Sequence, residues 1–184
     1  MTDGNRPDPC RVVLVGMMGS GKTTIGKLLA QATGWQRHDN DQLLDELHGK
    51  TPKQLLDERG EQYMREAEDA ALAHGLKAEA PSIVDAAAGT ILSQTSRDSL
   101  LGPTVVWLRA SPETLFQRAA GAAHRPWLHD GAEWFRATVR DRDALYASVA
   151  DVVVDTDDRS PADVVEEILA KLSEICPGLQ EKTV

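Results

Sequence analysis

Short apolar runs over Val12–Val15, Ser82–Asp85, Thr104–Leu108 and Val152–Asp155 are bounded by Gly, Pro or polar residues and separated by longer stretches of helical pattern. Runs of this kind, apolar without strict alternation, are expected of strands buried on both faces of a parallel sheet. A shorter and less apolar strand is expected over Gln36–Asp39. Between the runs, Thr23–Thr33 repeats apolar residues at helical spacing and Gly60–Leu76 is rich in Glu and Ala. Ser160–Ile175 places Val164, Val165, Ile168, Leu169 and Leu172 on one helical face. Ser111-Pro112-Glu113 and Ser160-Pro161-Ala162-Asp163 read as N-caps followed by proline at the first helical position. Alternation of strand and helix predicts an α/β doubly wound fold, a five-stranded parallel sheet flanked by helices.

Its 184 residues suffice for one domain with a substantial core. That domain is expected over residues 10–176, with a disordered tail over 1–9 and a flexible one over 177–184. Cys10 and Cys176 share neither metal-ligand nor redox spacing and are expected as free thiols of a reducing compartment, which points to the cytoplasm. No apolar stretch approaches the roughly 18 residues of a membrane span. A formal net charge of -9 argues against nucleic acid as a partner. An anionic small molecule remains compatible with it, held by a few local arginines.

Gly16-Met-Met-Gly19-Ser20-Gly21-Lys22-Thr23 fits G-x-x-x-x-G-K-[ST] and lies between the first expected strand and the first expected helix, the context this motif requires. Glycines let successive N–H groups converge on phosphate oxygens, and the helix that follows adds its positive end. Gly16, Gly19, Ser20, Gly21, Lys22, Thr23 and Thr24 are therefore the candidate site for a nucleoside triphosphate. In it Lys22 bridges the outer phosphates and Thr23 ligates Mg²⁺. Binding alone does not establish transfer, because P-loop folds also serve as switches.

After the second strand, Asp39-Asn40-Asp41 puts two carboxylates at a strand's carboxyl end, where open α/β sheets hold ligands. One could face a metal and the other a substrate hydroxyl; on local grounds a solvated turn or cap is the ordinary alternative.

Together with Gly60-Glu61-Gln62 leading to Arg65 and Glu68, Arg125-Pro126-Trp127-Leu128, Arg142 to Tyr146, and Val154-Asp155-Thr156 before Arg159, these motifs resemble the shikimate kinase family from Val12 to about Leu172. The resemblance implies a P-loop fold of the nucleoside-monophosphate-kinase type with a mobile lid, using ATP and Mg²⁺. Lys22 and Thr23 would serve ATP and the metal, Asp39 would hold the metal, and Asp41 would accept a hydrogen bond from the attacking hydroxyl. Arg65 and Arg142 would grip the substrate carboxylate, a planar match that lysine lacks. Arg125 would reach over the transferring group from a lid at about residues 120–135, and Arg118 and Arg159 would flank adenine. Each arginine also has an ordinary reading as a partner in an exposed ion pair. His124 and His129 read as solvated loop residues.

The family's three consecutive glycines after the third strand are Ala87-Ala88-Gly89 in this chain. Ala88 and Gly89 are candidate substrate contacts through their backbone. The added methyl groups either fit harmlessly or narrow the pocket and forbid positive φ angles. Asp85, an acid the family lacks there, is either a further metal ligand beside Thr23 and Asp39 or simply a cap of the turn. The resulting expectation is an ATP- and Mg²⁺-dependent kinase for a small hydroxy acid, shikimate first, acting as a monomer, with neither nucleic acid nor membrane as partner. The alternatives are a same-fold kinase for another polyhydroxy acid such as gluconate, and a nucleotide-binding regulator without transfer activity.

Overall fold

In the first strand, β1 (Arg11–Val15), Val12 and Leu14 join the core on one side of the sheet while Val13 and Val15 join the core on the other. Strand alternation at a period of two produces this division. The computed structural model describes residues 10–120, 131–176 and 179. The chain continues through α1 (Lys22–Thr33), β2 (Gln36–Asp39), α2 (Asn40–His48), α3 (Pro52–Gly75) and β3 (Ser82–Asp85). A short 3-10 turn (Thr90–Leu92) and α4 (Gln94–Ser99) lead to β4 (Thr104–Arg109), α5 (Pro112–Ala120), α6 (Gly131–Val149), β5 (Val152–Asp155) and α7 (Pro161–Ile175).

All strand pairs are parallel, in the order β2-β3-β1-β4-β5. The two inner faces are covered differently. Ile25 and Leu29 of α1 and Val164, Ile168 and Leu172 of α7 pack on Val12, Leu14, Ile83 and Val106. On the opposite face Leu72 of α3, Leu115 of α5 and Phe135, Val139 and Tyr146 of α6 pack on Val13, Val84, Val105 and Trp107. A smaller cluster of Leu43, Leu44, Leu55, Met64, Ala67 and Ala71 joins α2 to α3.

The expected sheet and the helices that begin near Thr23 and Ser160 are found, the latter with a capping box between Ser160 and Asp163 and proline in the first turn. The helix expected from Gly60 is the second half of α3, whose axis breaks at Gly60, where φ is 82°. Residues 121–130, which make up most of the expected lid and carry His124, Arg125 and His129, lie outside the described residues, as do 1–9 and most of the chain after Cys176.

One expectation is overturned. Cys10 and Cys176 are joined in a disulfide, with Cα atoms 5.2 Å apart across 166 positions of sequence. Linear spacing concealed the pair because the residue before β1 meets the residue after α7 only once the sheet has formed. The inference from free thiols to a reducing compartment falls with it. A crosslink closing so long a loop restricts the unfolded chain by about 2–4 kcal/mol. Thiol titration in denaturant without reductant should therefore find no reactive cysteine, and reduction should lower the melting temperature by several degrees. A free-thiol signal from the unreduced protein would contradict the crosslink.

Candidate active site

Gly16 and Gly19, at φ 147° and 85°, carry the chain from β1 into α1 through backbone conformations that side chains rarely adopt. Space forbids a side chain as well. A Cβ on Gly16 would lie 2.6 Å from the Leu108 carbonyl oxygen and one on Gly19 would lie 2.5 Å from that of Leu115. The loop is thus pressed against β4 and α5. Its helix begins at Gly21 with no side-chain cap and no acid in the first turn, whereas α2, α3, α4 and α7 are capped by Asp39, Thr51, Ser93 and Ser160. An uncapped helix start directs its N–H groups and the positive end of its dipole at whatever anion arrives. Lys22 Nζ donates to the carbonyl oxygens of Gly16 (2.7 Å) and Met17 (3.1 Å), which holds the ammonium over the loop.

Parallel register sets Asp39 directly beside Asp85 at the carboxyl ends of β2 and β3. Asp39 caps α2: one of its oxygens accepts from the Asp41 N–H at 2.9 Å. Its other oxygen pairs with Arg37, which also pairs with Asp85. Burial pushes the Asp85 carboxyl up to about 6, and Arg37 beside it pulls in the opposite direction. Among the described residues there is no cluster of three metal-binding side chains. Thr23 and Asp39, hard oxygen donors on the same cavity wall, nevertheless fit Mg²⁺, a cation usually held by one or two carboxylates together with the phosphates of its nucleotide.

A cavity of about 910 Å³ runs from the P-loop past these carboxylates to Arg65 and Arg142. Arg65 bonds Glu68 at 2.9 Å and Glu61 at 3.1 Å, so the ordinary helical ion pairs are present. The Glu61 pair is exposed and worth a few tenths of a kcal/mol. Glu68 is buried, and burial raises its carboxyl against the pull of Arg65 and Arg142. Arg142, from α6, donates to the Ala88 carbonyl at 3.3 Å, and among the described residues no carboxylate pairs with it. Burial, with Arg65 nearby, lowers its pKa from the ordinary value, yet a guanidinium stays charged. Two arginines facing one cavity, one of them held by buried Glu68, present planar donors complementary to the carboxylate of a small organic acid.

The structure thus brings Gly19, Gly21, Lys22, Thr23, Thr24, Asp39, Asp41, Arg65, Asp85, Ala88, Gly89, Arg118 and Arg142 onto one cavity. Gly16 and Ser20 shape the loop from behind. Arg159 is not among the residues lining the cavity: it bonds Glu167 and the carbonyls of Asp155 and Asp163. Arg118 bonds Thr156 through both its hydroxyl (3.0 Å) and its carbonyl (2.7 Å).

A family model described as shikimate kinase matches residues 18–173. The chain belongs to the shikimate kinase family. It is 39% identical over 170 residues to a shikimate kinase of Pseudomonas syringae pv. tomato, covering 90% of this chain and 98% of that one. To a shikimate kinase of Corynebacterium jeikeium it is 36% identical over 167 residues, covering 90% and 89%. A solved structure of shikimate kinase from Acinetobacter baumannii in complex with shikimate superposes with a TM-score of 0.84 at 28% identity, covering 92% of this chain and 95% of that one. A gluconokinase from Sinorhizobium meliloti reaches a TM-score of 0.61 at 20% identity, covering 93% and 94%, and so shares the fold.

Within this family member the backbone accommodates the two alanines. Neither Ala87 nor Ala88 has a positive φ, so their Cβ atoms add no backbone strain. Gly89 is different: a Cβ there would stand 1.7 Å from Arg65 Nη1 and 2.5 Å from Glu68 Oε2. The retained glycine is the one against which the Arg65 side chain lies. Sequence reasoning missed Arg37 as a site residue, although an arginine inside a strand ahead of paired carboxylates was its visible signal. It also missed Tyr146, which is buried, stacks on Trp107 with ring centroids 5.7 Å apart and donates to the Ala88 carbonyl at 2.9 Å. Gly89→Ala must displace the ends of the Arg65 and Glu68 side chains and should lose about 1–3 kcal/mol in urea unfolding, chiefly by disturbing that buried pair. Ala87→Gly and Ala88→Gly should each lose no more than about 1 kcal/mol, the backbone-entropy difference. Equal losses at all three positions would contradict this division.

Proposed function

We propose that this enzyme transfers the γ-phosphoryl group of ATP to the 3-hydroxyl of shikimate, with Mg²⁺ held by Thr23, Asp39 and the phosphates. The observation that carries the reading is the joining of two sites by one cavity: an uncapped P-loop helix at one end and the Arg65–Arg142 pair at the other. A regulator without transfer activity has no use for the second. The shikimate named for the Acinetobacter baumannii structure supports this acid as the occupant.

The acid binds with its carboxylate between Arg65 and Arg142, whose planar donors set its orientation. Asp41, at the start of α2, accepts a hydrogen bond from the 3-hydroxyl, points that oxygen at the phosphorus, and takes its proton as the new P–O bond forms and the bond from the γ-phosphorus to the bridging oxygen breaks, releasing ADP. Lys22 follows the charge that shifts onto the β- and γ-oxygens, and the N–H groups at the start of α1 hold the phosphates. A metal held by Thr23 and Asp39 would supply neutralisation of the charge that develops on the phosphoryl group. Because this reaction passes through a loose, spread-out charge distribution, alignment and charge stabilisation supply most of the rate. We assign Arg118 to the adenine side of the cavity; the parts expected of Arg125 and Arg159 rest on the resemblance.

All these groups come from one chain, which supports action as a monomer. No described helix is long and apolar enough to cross a membrane. ATP as donor supports a cytoplasmic site of action; the disulfide lends that placement no support.

Steady-state ADP release with Mg²⁺-ATP and shikimate tests the assignment. Lys22→Ala should abolish turnover while leaving the melting temperature within a few degrees. Arg142→Ala should raise KM for shikimate about ten- to hundredfold, the loss of a charge-assisted hydrogen bond of roughly 1.5–3 kcal/mol. KM for ATP should change less than about threefold. Equal rises in both constants would remove Arg142 from the acid site.

A further inference from the structure

Arg37 is the cation at the carboxyl ends of β2 and β3 that the proposed chemistry leaves without a task. Its guanidinium lies largely buried between two carboxylates. Nε donates to Asp85 Oδ2 at 3.0 Å, and Nη2 donates both to that oxygen and to Asp39 Oδ2. The opposite oxygen of Asp39 accepts from the Asp41 N–H at 2.9 Å. A continuous chain of bonds thus runs Asp85–Arg37–Asp39–Asp41, from the carboxyl end of β3 to the residue proposed to orient the hydroxyl. The neighbouring helix makes room for it. Gly26 of α1 faces the cluster, and a Cβ there would stand 2.4 Å from Asp85 Oδ1 and 2.7 Å from Arg37 Nε.

The three charges, one positive and two negative, sum to the single negative charge that Asp39 would carry alone. Arg37 and Asp85 therefore leave the charge presented to a cation unchanged, and what they add is direction. An unsupported carboxylate at a helix N-cap retains rotational freedom about its side chain; one tied at both oxygens, to Arg37 and to the Asp41 N–H, does not. Carboxylates and histidines that hold metals are commonly oriented in this way by hydrogen-bonded partners behind them.

Resting on the Mg²⁺ reading above, we infer that Arg37 is a positioning residue: anchored by Asp85 in the space left by Gly26, it holds the Asp39 carboxylate in the orientation that receives the metal of the nucleotide complex. Asp85 then acts on the metal through Arg37 and Asp39, not as a ligand.

The test is calorimetric titration of ADP into the full-length protein, with Mg²⁺ and with EDTA, for the parent and for the Arg37→Leu/Asp85→Ser double variant. The double variant removes the pair without altering the net charge at Asp39 and without stranding a buried ion. In the parent, Mg²⁺ should tighten ADP binding; absence of that increment would overturn the Mg²⁺ reading itself. In the double variant, ADP affinity in EDTA should match the parent, because the P-loop is untouched, while the increment from Mg²⁺ should fall by about tenfold or more. An increment equal to the parent's, or equal losses with and without Mg²⁺, would show the pair to be structural only and overturn the inference. Should the double variant fail to fold, Arg37→Lys decides, since an ammonium keeps the charge but lacks the planar fork that spans both carboxylates. A reduced increment in that variant supports the inference and a parental one overturns it.

Discussion

The parallel register of the sheet is the constraint on which the site depends. Because β2, β3, β1 and β4 all run in one direction, their carboxyl ends open on one edge, and the turns that leave them converge there. The P-loop leaves β1, the Asp39–Asp41 pair leaves β2, and Asp85 with the Ala87–Gly89 segment leaves β3. Reversing any one of these strands would move the P-loop, the Asp39–Asp41 pair or the Ala87–Gly89 segment to the far side of the molecule. Burial holds that register in place: Val12, Val13, Leu14, Ile83, Val84, Val105 and Val106 are all inaccessible to solvent, and a slip of one residue would exchange the faces of each.

Onto this edge the helices bring cations that stand among the carboxylates of the strand ends. The protein is acidic overall, at -9, yet its cavity holds Lys22, Arg65, Arg118 and Arg142. Nucleotide phosphates and a small carboxylic acid are both anions, and these cations, set among Asp39, Asp41, Glu61, Glu68 and Asp85 in the same cavity, are the groups able to meet them. Glu68 and Glu61 hold the Arg65 guanidinium, and the Ala88 carbonyl holds that of Arg142. Gly89 then lets the Arg65 side chain lie against the backbone of the β3 exit loop. That close approach explains why the third of the three positions stays glycine while the first two tolerate alanine.

Much of this was legible in the sequence. The valine-rich runs are strands because residues buried on both faces need no alternation, and the P-loop reads directly from its glycines and lysine. β2 was faint because it lies at the edge of the sheet, with Gln36 exposed and Arg37, His38 and Asp39 only partly covered. α2 and the first half of α3 escaped notice since they bury only a narrow stripe, Leu43, Leu44 and Leu55, in a small cluster of their own. The disulfide and the Arg37–Asp85 pair were not legible, for one reason: each joins residues far apart in the chain, and neither leaves a periodic trace. The alanine substitutions could be noticed but not weighed, because their consequence depends on φ angles and on where the Arg65 side chain falls.

The claim that this altered loop still serves the family's acid is tested most directly by measuring ADP release with Mg²⁺-ATP against shikimate, quinate, gluconate and buffer alone. The account predicts saturable turnover with shikimate, with the other acids giving little above the buffer rate. Turnover confined to quinate or gluconate, or no rate above buffer with any acid, would contradict it.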